Sequence, residues 1–225
     1  LTRKGIKTIS QLQNGINFIY INGSYAHESG LNYDYSLVQS EDGKYNQTVS
    51  YYDGLLNHKQ TVTKLSSEGV SIVSETIYDH AGRQAIKTLP APTWGGCLLN
   101  YHIQFNKDSA TSKKYSYPHF ENIIAGCNPL PGKMNKSFGT AKYYSPNNAF
   151  QNIYNGIHKY VPDAFGYPFV QTVYTPDNTG RISASGLAGK DHVIGSGNET
   201  KYIYGQPLQE ELDRLFGTDA GYSSF

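Results

Sequence analysis

Apolar and polar residues alternate through the first part of the chain, a pattern typical of half-buried β-strands joined by turns. Alternation is clearest at Tyr33, Tyr35 and Leu37, and residues 15–22, 45–52, 60–64 and 70–74 are strand-like runs as well. Pairs such as asparagine-glycine and aspartate-glycine separate some of the runs, and these pairs favour tight turns. The pattern therefore predicts a mainly β chain built from antiparallel hairpins.

The alternation fades in the middle of the chain. Pro90 and Pro92 should end the ladder, because proline cannot donate a ladder hydrogen bond. Proline, glycine and lysine are concentrated in residues 93–146, where only residues 98–105 keep an apolar run that predicts a strand. We expect the rest of this segment to be a loop-rich insertion.

Helical spacing follows the insertion. Apolar residues in 147–161 recur three and four positions apart until Pro162, and residues 207–216 also show one apolar face, so two short helices are predicted. Residues 171–174 and 199–204 between them are strand-like. The predicted organisation is a β-rich segment at 1–92, the insertion at 93–146, and a final segment at 147–225 that holds the helices and further strands.

A short phrase recurs along this β structure: a strand that ends in Tyr-Asp, a turn, Gly-Arg and a second strand. A repeated unit of this kind usually forms one supersecondary element that packs against its neighbours. The three copies are Tyr52-Asp53 without a following Gly-Arg pair, Tyr78-Asp79 with Gly82-Arg83, and the stretched copy Tyr174 with Gly180-Arg181.

The residue types of the clearest copy explain how it turns. Asp79 can accept a hydrogen bond from the backbone two residues on, and Gly82 can supply the positive φ that closes the turn. Arg83 then begins the return strand, where its guanidinium can stack on a tyrosine or pair with an aspartate. The first copy has Leu56-Asn57 where Gly-Arg is expected, so its hairpin is predicted to turn differently.

Composition adds a tyrosine-rich core and excludes some functions. The chain has 20 tyrosines in 225 residues, and tyrosine suits pleated, half-buried surfaces. Its 19 basic and 18 acidic residues give a net charge of +1 with no basic stripe, which argues against nucleic-acid binding. No apolar run approaches the ~20 residues that span a bilayer, so we do not expect a membrane-spanning protein.

Candidate chemistry is sparse. Cys97 and Cys127 could form one disulfide or remain two unrelated thiols. The histidines are scattered without metal-ligand spacing, so no metal or other cofactor is expected. Asp191-His192 lies near Ser183, Ser185 and Ser196, but no Gly-x-Ser-x-Gly elbow accompanies them. We therefore expect no enzyme, and a hydrolase stays a third hypothesis with no assigned catalytic residue.

The repeated phrase resembles the YD repeat of Rhs proteins, a family that includes the cocoon-forming subunits of insecticidal toxins and the animal teneurins. The ordered set of motifs is similar to very large exported Rhs-type proteins of Bacteroidota. The motifs are the block from Ser50-Tyr51-Tyr52-Asp53 to Leu89-Pro90, then Tyr143-Tyr144-Ser145-Pro146, Tyr174-Thr175-Pro176-Asp177, Tyr202 with Tyr204, and Gln209-Glu210-Glu211-Leu212.

The resemblance implies a structural role. Members of the family build a curved β-shell around or before a C-terminal payload, which in some of them is a toxin. This chain would then be a secreted or cell-surface segment of a much larger polypeptide, with the rest of that polypeptide and its payload as partners, and secretion machinery or cell-surface molecules as further ones. The alternative is a cell-surface adhesin or glycan-binding module that uses exposed tyrosines as stacking platforms.

Overall fold

The computed structural model describes residues 31–39, 45–65, 67–93, 96–121, 130–153 and 156–217. Within them the chain forms nine strands and four short α-helices. The strands are β1 Asn32–Gln39, β2 Tyr45–Tyr52, β3 His58–Leu65, β4 Val70–Tyr78, β5 Gln84–Thr88, β6 Ala91–Pro92, β7 Phe169–Tyr174, β8 Ile182–Gly186 and β9 Thr200–Lys201. The helices are α1 Tyr117–Phe120, α2 Gly139–Tyr143, α3 Phe150–Ile153 and α4 Gln209–Phe216, with a 3-10 turn at Ile157–Tyr160.

All strands belong to one open antiparallel sheet in the order β1-β2-β3-β4-β5-β7-β8-β9, with β6 beside β4. Strands β1 to β5 pair in chain order, β7 pairs with β5 across the intervening segment, and β8 and β9 follow in chain order. The prediction of a mainly antiparallel β fold is therefore confirmed. The strand predicted at 15–22 and its Asn22-Gly23 turn lie outside the described residues.

The ladder does not end at the prolines as predicted. Ala91 pairs with Val73, and Pro92 pairs with Ile72. Pro92 has no N–H, but the next residue supplies one: the Thr93 N–H donates to the Ser71 carbonyl at 2.8 Å. Because the Thr93 N–H points toward β4, the nitrogen of Pro92 one residue earlier points away from it, so the proline removes no bond from the ladder.

The strand predicted at 98–105 is wrong, because these residues are turns and irregular backbone. Side chains of the sheet bind their backbone groups instead of a neighbouring strand. The Ser71 hydroxyl donates to the Leu98 carbonyl at 2.6 Å, and the Tyr51 hydroxyl donates to the Leu99 carbonyl. Leu99, Tyr101 and Phe105 pack against buried side chains of the sheet, while Leu98 and Ile103 are exposed, so the apolar run comes from packing onto the sheet and not from strand pairing.

The helix predicted at 147–161 is divided. It consists of α3 and the 3-10 turn, and between them Gly156 has a φ of 150°. The helix predicted at 207–216 forms as α4. Two further helices, α1 and α2, lie inside the segment predicted to be loop-rich, and the strand predicted at 199–204 is limited to β9.

The segment at 96–168 covers the sheet and completes its core. One group of buried side chains joins the sheet residues Ile77, Ile86 and Phe169 to Phe120 and Met134 of this segment. Smaller groups lie at Val49, Tyr51, Val62 and Val73, and at Val70, Ala91, Tyr143 and Phe150. Burial of these side chains supplies the main favourable term in folding, so the central segment is part of the core.

A buried polar network fixes this segment to the sheet. Glu75 on β4 is only 1% exposed, and its carboxylate accepts hydrogen bonds from Gln60 Nε2 at 2.9 Å and from Asn106 Nδ2 at 2.8 Å. The ammonium of Lys114 lies 2.9 Å from the same carboxylate. Asn106 also accepts a hydrogen bond from the Thr140 N–H at the start of α2. The network joins two strands, a turn and a helix around the Glu75 carboxylate.

Of the helices that the structure describes, none has the length and apolar character needed to cross a bilayer.

Candidate functional site

The turn between β4 and β5 is organised by the Asp79 carboxylate. Its Oδ1 accepts the Ala81 and Arg83 N–H groups, each at 2.9 Å, and its Oδ2 accepts Arg83 Nε at 2.8 Å. The Asp79 N–H donates to the Arg83 carbonyl at 2.9 Å, and Gly82 has the predicted positive φ, at 74°. This geometry is the one that the Tyr-Asp and Gly-Arg pairs predict.

Electrostatics keep this carboxylate ionised. Burial by itself would raise the pKa of Asp79, but the hydrogen bonds from Arg83 and Ala81 and the charge of Arg83 outweigh it and lower the pKa. Asp79 is buried, and the Arg83 guanidinium is also 2.8 Å from Oδ2 through Nη2. The pair is therefore a charge-assisted staple inside the turn.

The first copy turns in the same way, although its sequence predicts a different turn. Asp53 Oδ1 accepts the Leu55 N–H at 3.0 Å and the Asn57 N–H at 2.9 Å, and Asn57 Nδ2 takes the place of the arginine at Oδ2, at 3.2 Å. Leu56 occupies the glycine position with a φ of 61°. The ammonium of Lys59 completes the site at 3.2 Å from Oδ2.

The third copy is longer and uses different groups. Thr175 follows Tyr174 directly, and its N–H donates to the Arg181 carbonyl at 2.8 Å, the bond that Asp79 makes in the clearest copy. Asp177 lies inside the turn, where it accepts the Thr179 hydroxyl at 2.7 Å. Gly180 has a φ of 75°, like Gly82. Thr175 therefore stands where the sequence phrase would place an aspartate.

The three hairpins share a β-bulge and a register. Each bulge lies just before the tyrosine of the phrase, at Tyr51/Tyr52, Ile77/Tyr78 and Val173/Tyr174. On each return strand, the residue that pairs just before the bulge also pairs with a residue of the next strand in the sheet. These pairs are Gln60 with Glu75, Ile86 with Gln171, and Ala184 with Lys201. The second residue of each pair lies three positions before a tyrosine, namely Tyr78, Tyr174 and Tyr204.

A cation from each hairpin lies over a tyrosine of the following hairpin or, for the third hairpin, over Tyr204 after β9. Lys59 Nζ is 5.2 Å from the centroid of the Tyr78 ring, and the Arg83 guanidinium carbon is 4.4 Å from that of Tyr174. The Arg181 guanidinium carbon is 5.2 Å from the centroid of Tyr204. We call these three contacts the cation–tyrosine ladder. Cation–π contacts of this geometry contribute about 0.5–1 kcal/mol each when exposed.

A hydrogen bond strengthens the central contact of the ladder. The Tyr174 hydroxyl donates to the Gln84 carbonyl at 2.9 Å, so the ring that Arg83 covers is also tied to the preceding return strand. The site residues predicted from sequence are thus brought together between hairpins as well as within them.

Sequence reasoning missed three members of this arrangement. Lys59 lies two residues after Asn57, the position where the phrase predicts an arginine, and it takes the place of that arginine over the tyrosine. Thr175 takes the place of the predicted aspartate. Tyr204 is one of the motif residues named above, but it lies after β9 without a Tyr-Asp pair. Its place in the ladder depends on the register between β8 and β9, which only the structure shows.

Replacing Leu56 with glycine should stabilise the protein. A left-handed conformation costs an L-residue roughly 1–2 kcal/mol, and glycine avoids that cost while losing about 0.5–1 kcal/mol through the freedom of the unfolded chain. Leu56 is 69% exposed, so little burial is lost. We expect L56G to raise the free energy of unfolding by about 0.5 kcal/mol in urea titrations.

Leu55→Gly is the matched control, because Leu55 is also exposed but does not have a positive φ. This variant should lose stability. Equal effects of L55G and L56G would show that Leu56 is not strained.

Acid should weaken the turns selectively. Although burial opposes it, the hydrogen bonds from Asn57, Lys59 and Leu55 lower the pKa of Asp53 to about 2, and the pKa of Asp79 is lowered too. Both lie below the unfolded value of about 3.9, so their stabilisation is present above pH 4 and is lost as the pH falls toward 2. The melting temperature of the native chain should fall more steeply from pH 5 to 2 than that of the double variant Asp53→Asn, Asp79→Asn. Parallel curves would contradict this assignment.

The cysteine pairing stays a prediction. Cys97 is half-buried and forms no disulfide with a described residue, while Cys127 lies outside the described part of the chain.

Two of the three serines near Asp191-His192 donate to backbone carbonyls. Ser196 Oγ donates to the Asp191 carbonyl and Ser183 Oγ to the Val173 carbonyl, each at 3.1 Å. Across residues 31–217, leaving aside the gaps named above, no three histidine, cysteine or acidic side chains cluster as metal ligands would.

Comparison with protein families gives one match. A domain of unknown function, DUF6443, matches residues 28–126, which is less than half of the chain. The matched part contains the first two copies of the repeated phrase and Glu75 with its partners Gln60, Asn106 and Lys114. No curated protein matches this sequence.

Proposed function

We propose that this chain is a structural segment of an exported Rhs/YD-repeat protein, and that it contributes to a β-shell that encloses or displays a C-terminal payload. The observation that carries the proposal is the common register of three successive hairpins, each joined to the next by a cation over a tyrosine. A repeated junction of this kind lets one sheet grow by adding hairpins.

The exposed end of the sheet supports the same proposal. The Tyr202 N–H donates to the Ser183 carbonyl at 2.9 Å, so the N–H groups of Lys201 and Ile203 face away from β8 in an antiparallel ladder. Ile203 is 95% exposed beside them. An edge with free donors and an exposed apolar side chain favours a further strand, which the rest of the polypeptide would supply.

The test is the size and location of the native protein. Peptides from residues 31–217 should be found by mass spectrometry in an exported polypeptide far larger than the 25.0 kDa of this chain. A soluble 25.0 kDa monomer confined to the cell interior would contradict both the shell and the export.

A further inference from the structure

An apolar groove lies between the segment at 162–165 and the turn that follows β8, and it shares no lining residue with the cation–tyrosine ladder. Its volume is about 260 Å³. A single water needs roughly 10–15 Å³ measured in this way, so an aromatic ring with a short side chain would fit. The apolar lining includes Leu89, Tyr144, Pro162, Ala164 and Phe165, and the titratable side chains beside it are those of Asp163, Lys190, Asp191 and His192.

Phe165 borders this groove with a strained backbone. Its φ is 55°, a left-handed conformation that a bulky residue rarely adopts, and the residue is 45% exposed. Hydrogen bonds on both sides hold this conformation. Asp163 Oδ1 accepts the Phe165 N–H at 2.7 Å, and the Gly166 carbonyl accepts the Met134 N–H at 2.8 Å. Strained residues that their surroundings maintain are concentrated at binding sites, so an aromatic ring held at the surface in this way points to a ligand.

Two ammonium groups lie over the Phe165 ring, and they differ in their partners. Lys136 Nζ is 5.4 Å from the ring centroid, but it also bonds both carboxylate oxygens of Asp163, at 3.0 and 2.9 Å. Lys190 Nζ is 4.7 Å from the same centroid and pairs with no carboxylate among the residues that the structure describes. The charges of Lys136 and Asp163 therefore cancel, and Lys190 keeps its charge available beside the ring.

The turn that carries Lys190 is fixed beside the groove. The Gly189 N–H donates to the Tyr167 carbonyl at 2.9 Å, which ties the turn to the residues just before β7. The same turn brings the exposed carboxylate of Asp191, which opposes an anion. No described group pairs with that carboxylate, whereas the ring of Phe165 holds the Lys190 ammonium by a cation–π contact. The charge with a defined position is therefore the positive one.

We propose that this groove binds a free small aromatic carboxylate. The apolar lining and the Phe165 ring take the aromatic body, and the Lys190 ammonium pairs with the carboxylate in a charge-assisted hydrogen bond. An apolar pocket with a few placed polar groups is the usual form of a small-molecule site. The site adds a binding activity to a structural segment, and it does not depend on the proposed shell, because all of its residues lie within this chain.

The test titrates the full 225-residue chain with probes that share one aromatic body and differ in charge. They are phenylacetate, the neutral 2-phenylacetamide and the cation 2-phenylethylammonium, with acetate as an anion that lacks the ring. Saturation-transfer and chemical-shift NMR at pH 7 should show phenylacetate binding at least about fivefold more tightly than the other three, because only phenylacetate suits both parts of the site. No binding of phenylacetate at millimolar concentration, or equally tight binding of the amide or the cation, would overturn the proposal.

Two variants with opposite expected effects locate the binding. Lys190→Met removes the ammonium and keeps an apolar stem, so phenylacetate should bind about fivefold more weakly and lose its advantage over the amide. Asp191→Asn removes the unpaired carboxylate of the lining, so phenylacetate should bind more tightly. Both residues are exposed, so both variants should fold like the native chain. Weaker binding of phenylacetate to Asp191→Asn, or unchanged binding to Lys190→Met, would contradict an anion held by Lys190.

Lys107→Met is the matched control. Lys107 Nζ lies 4.4 Å from the centroid of the Phe138 ring, so it is also an ammonium over a phenylalanine, but neither residue lines the groove. Phenylacetate binding should be unchanged in this variant. An equal loss of affinity in Lys107→Met and Lys190→Met would show that the probe responds to net charge and not to this site.

Discussion

Replacing Lys114 with methionine will lower the free energy of unfolding by about 3 kcal/mol, because it leaves a buried carboxylate without its counter-charge. The Glu75 carboxylate is nearly inaccessible to solvent, and Lys114 Nζ at 2.9 Å is its cationic partner. The amides of Gln60 and Asn106 would remain as donors, but neither carries a charge. Guanidinium or urea titration of both proteins measures the loss.

Lys136→Met provides the comparison. Lys136 and Asp163 also form an ion pair at 2.9 Å, but both side chains are partly exposed. Pairs of this kind contribute about 0–1 kcal/mol, so the loss should be correspondingly small. Similar losses in Lys114→Met and Lys136→Met would contradict a special role for the buried network.

A double variant separates the buried charge from the packing of the lysine stem. Glu75→Gln combined with Lys114→Met leaves no charge in the site, so it should be more stable than Lys114→Met alone. A further loss of stability in the double variant would indicate that the carboxylate itself is well solvated by its amide partners.

Replacing Asp79 with alanine will cost about 2 kcal/mol, the second largest effect that we expect. The change leaves the N–H groups of Ala81 and Arg83 without their acceptor and removes the counter-charge of the Arg83 guanidinium. Hydrogen bonds to charged groups contribute about 1.5–3 kcal/mol, and part of this will be regained from water. The midpoint of urea unfolding gives the loss.

Asp108→Ala is the control for a turn-forming aspartate. Asp108 accepts the N–H groups of Ala110 at 3.2 Å and Thr111 at 3.1 Å, but it lies in an exposed turn. Its replacement should have a clearly smaller effect. In addition, only Asp79→Ala should alter the chemical shifts of the Tyr174 ring, because Arg83 lies over that ring. Unchanged Tyr174 signals in Asp79→Ala would show that the staple does not position the ladder.

The strands and the clearest turn could be predicted because their causes are local. Alternation of side chains defines β2, β3 and β4. Asp79 and Gly82 define the turn between β4 and β5 within five residues of sequence. The register between hairpins could not be predicted, since it depends on bulges that shift the pairing by one residue. That register is what identifies Tyr204 as part of the ladder.

The errors have a common physical origin. Leu99, Tyr101 and Phe105 are spaced as in a strand because they pack on a sheet, and pattern alone cannot distinguish this from strand pairing. Leu56 adopts a glycine-like conformation because the Asp53 bonds of the turn impose it. Glu75 and Lys114 resemble surface charges in the sequence, and only the fold brings them together away from solvent.

The most direct test of the scaffold is hydrogen exchange at the exposed edge of β9, in this chain and in the larger polypeptide that we propose contains it. In the chain alone, the amides of Lys201 and Ile203 should exchange rapidly, because they face away from β8. In the larger polypeptide the same amides should be protected by the next strand, while protection of β4 stays the same in both. Rapid exchange of Lys201 and Ile203 in both proteins would contradict a sheet that continues beyond β9.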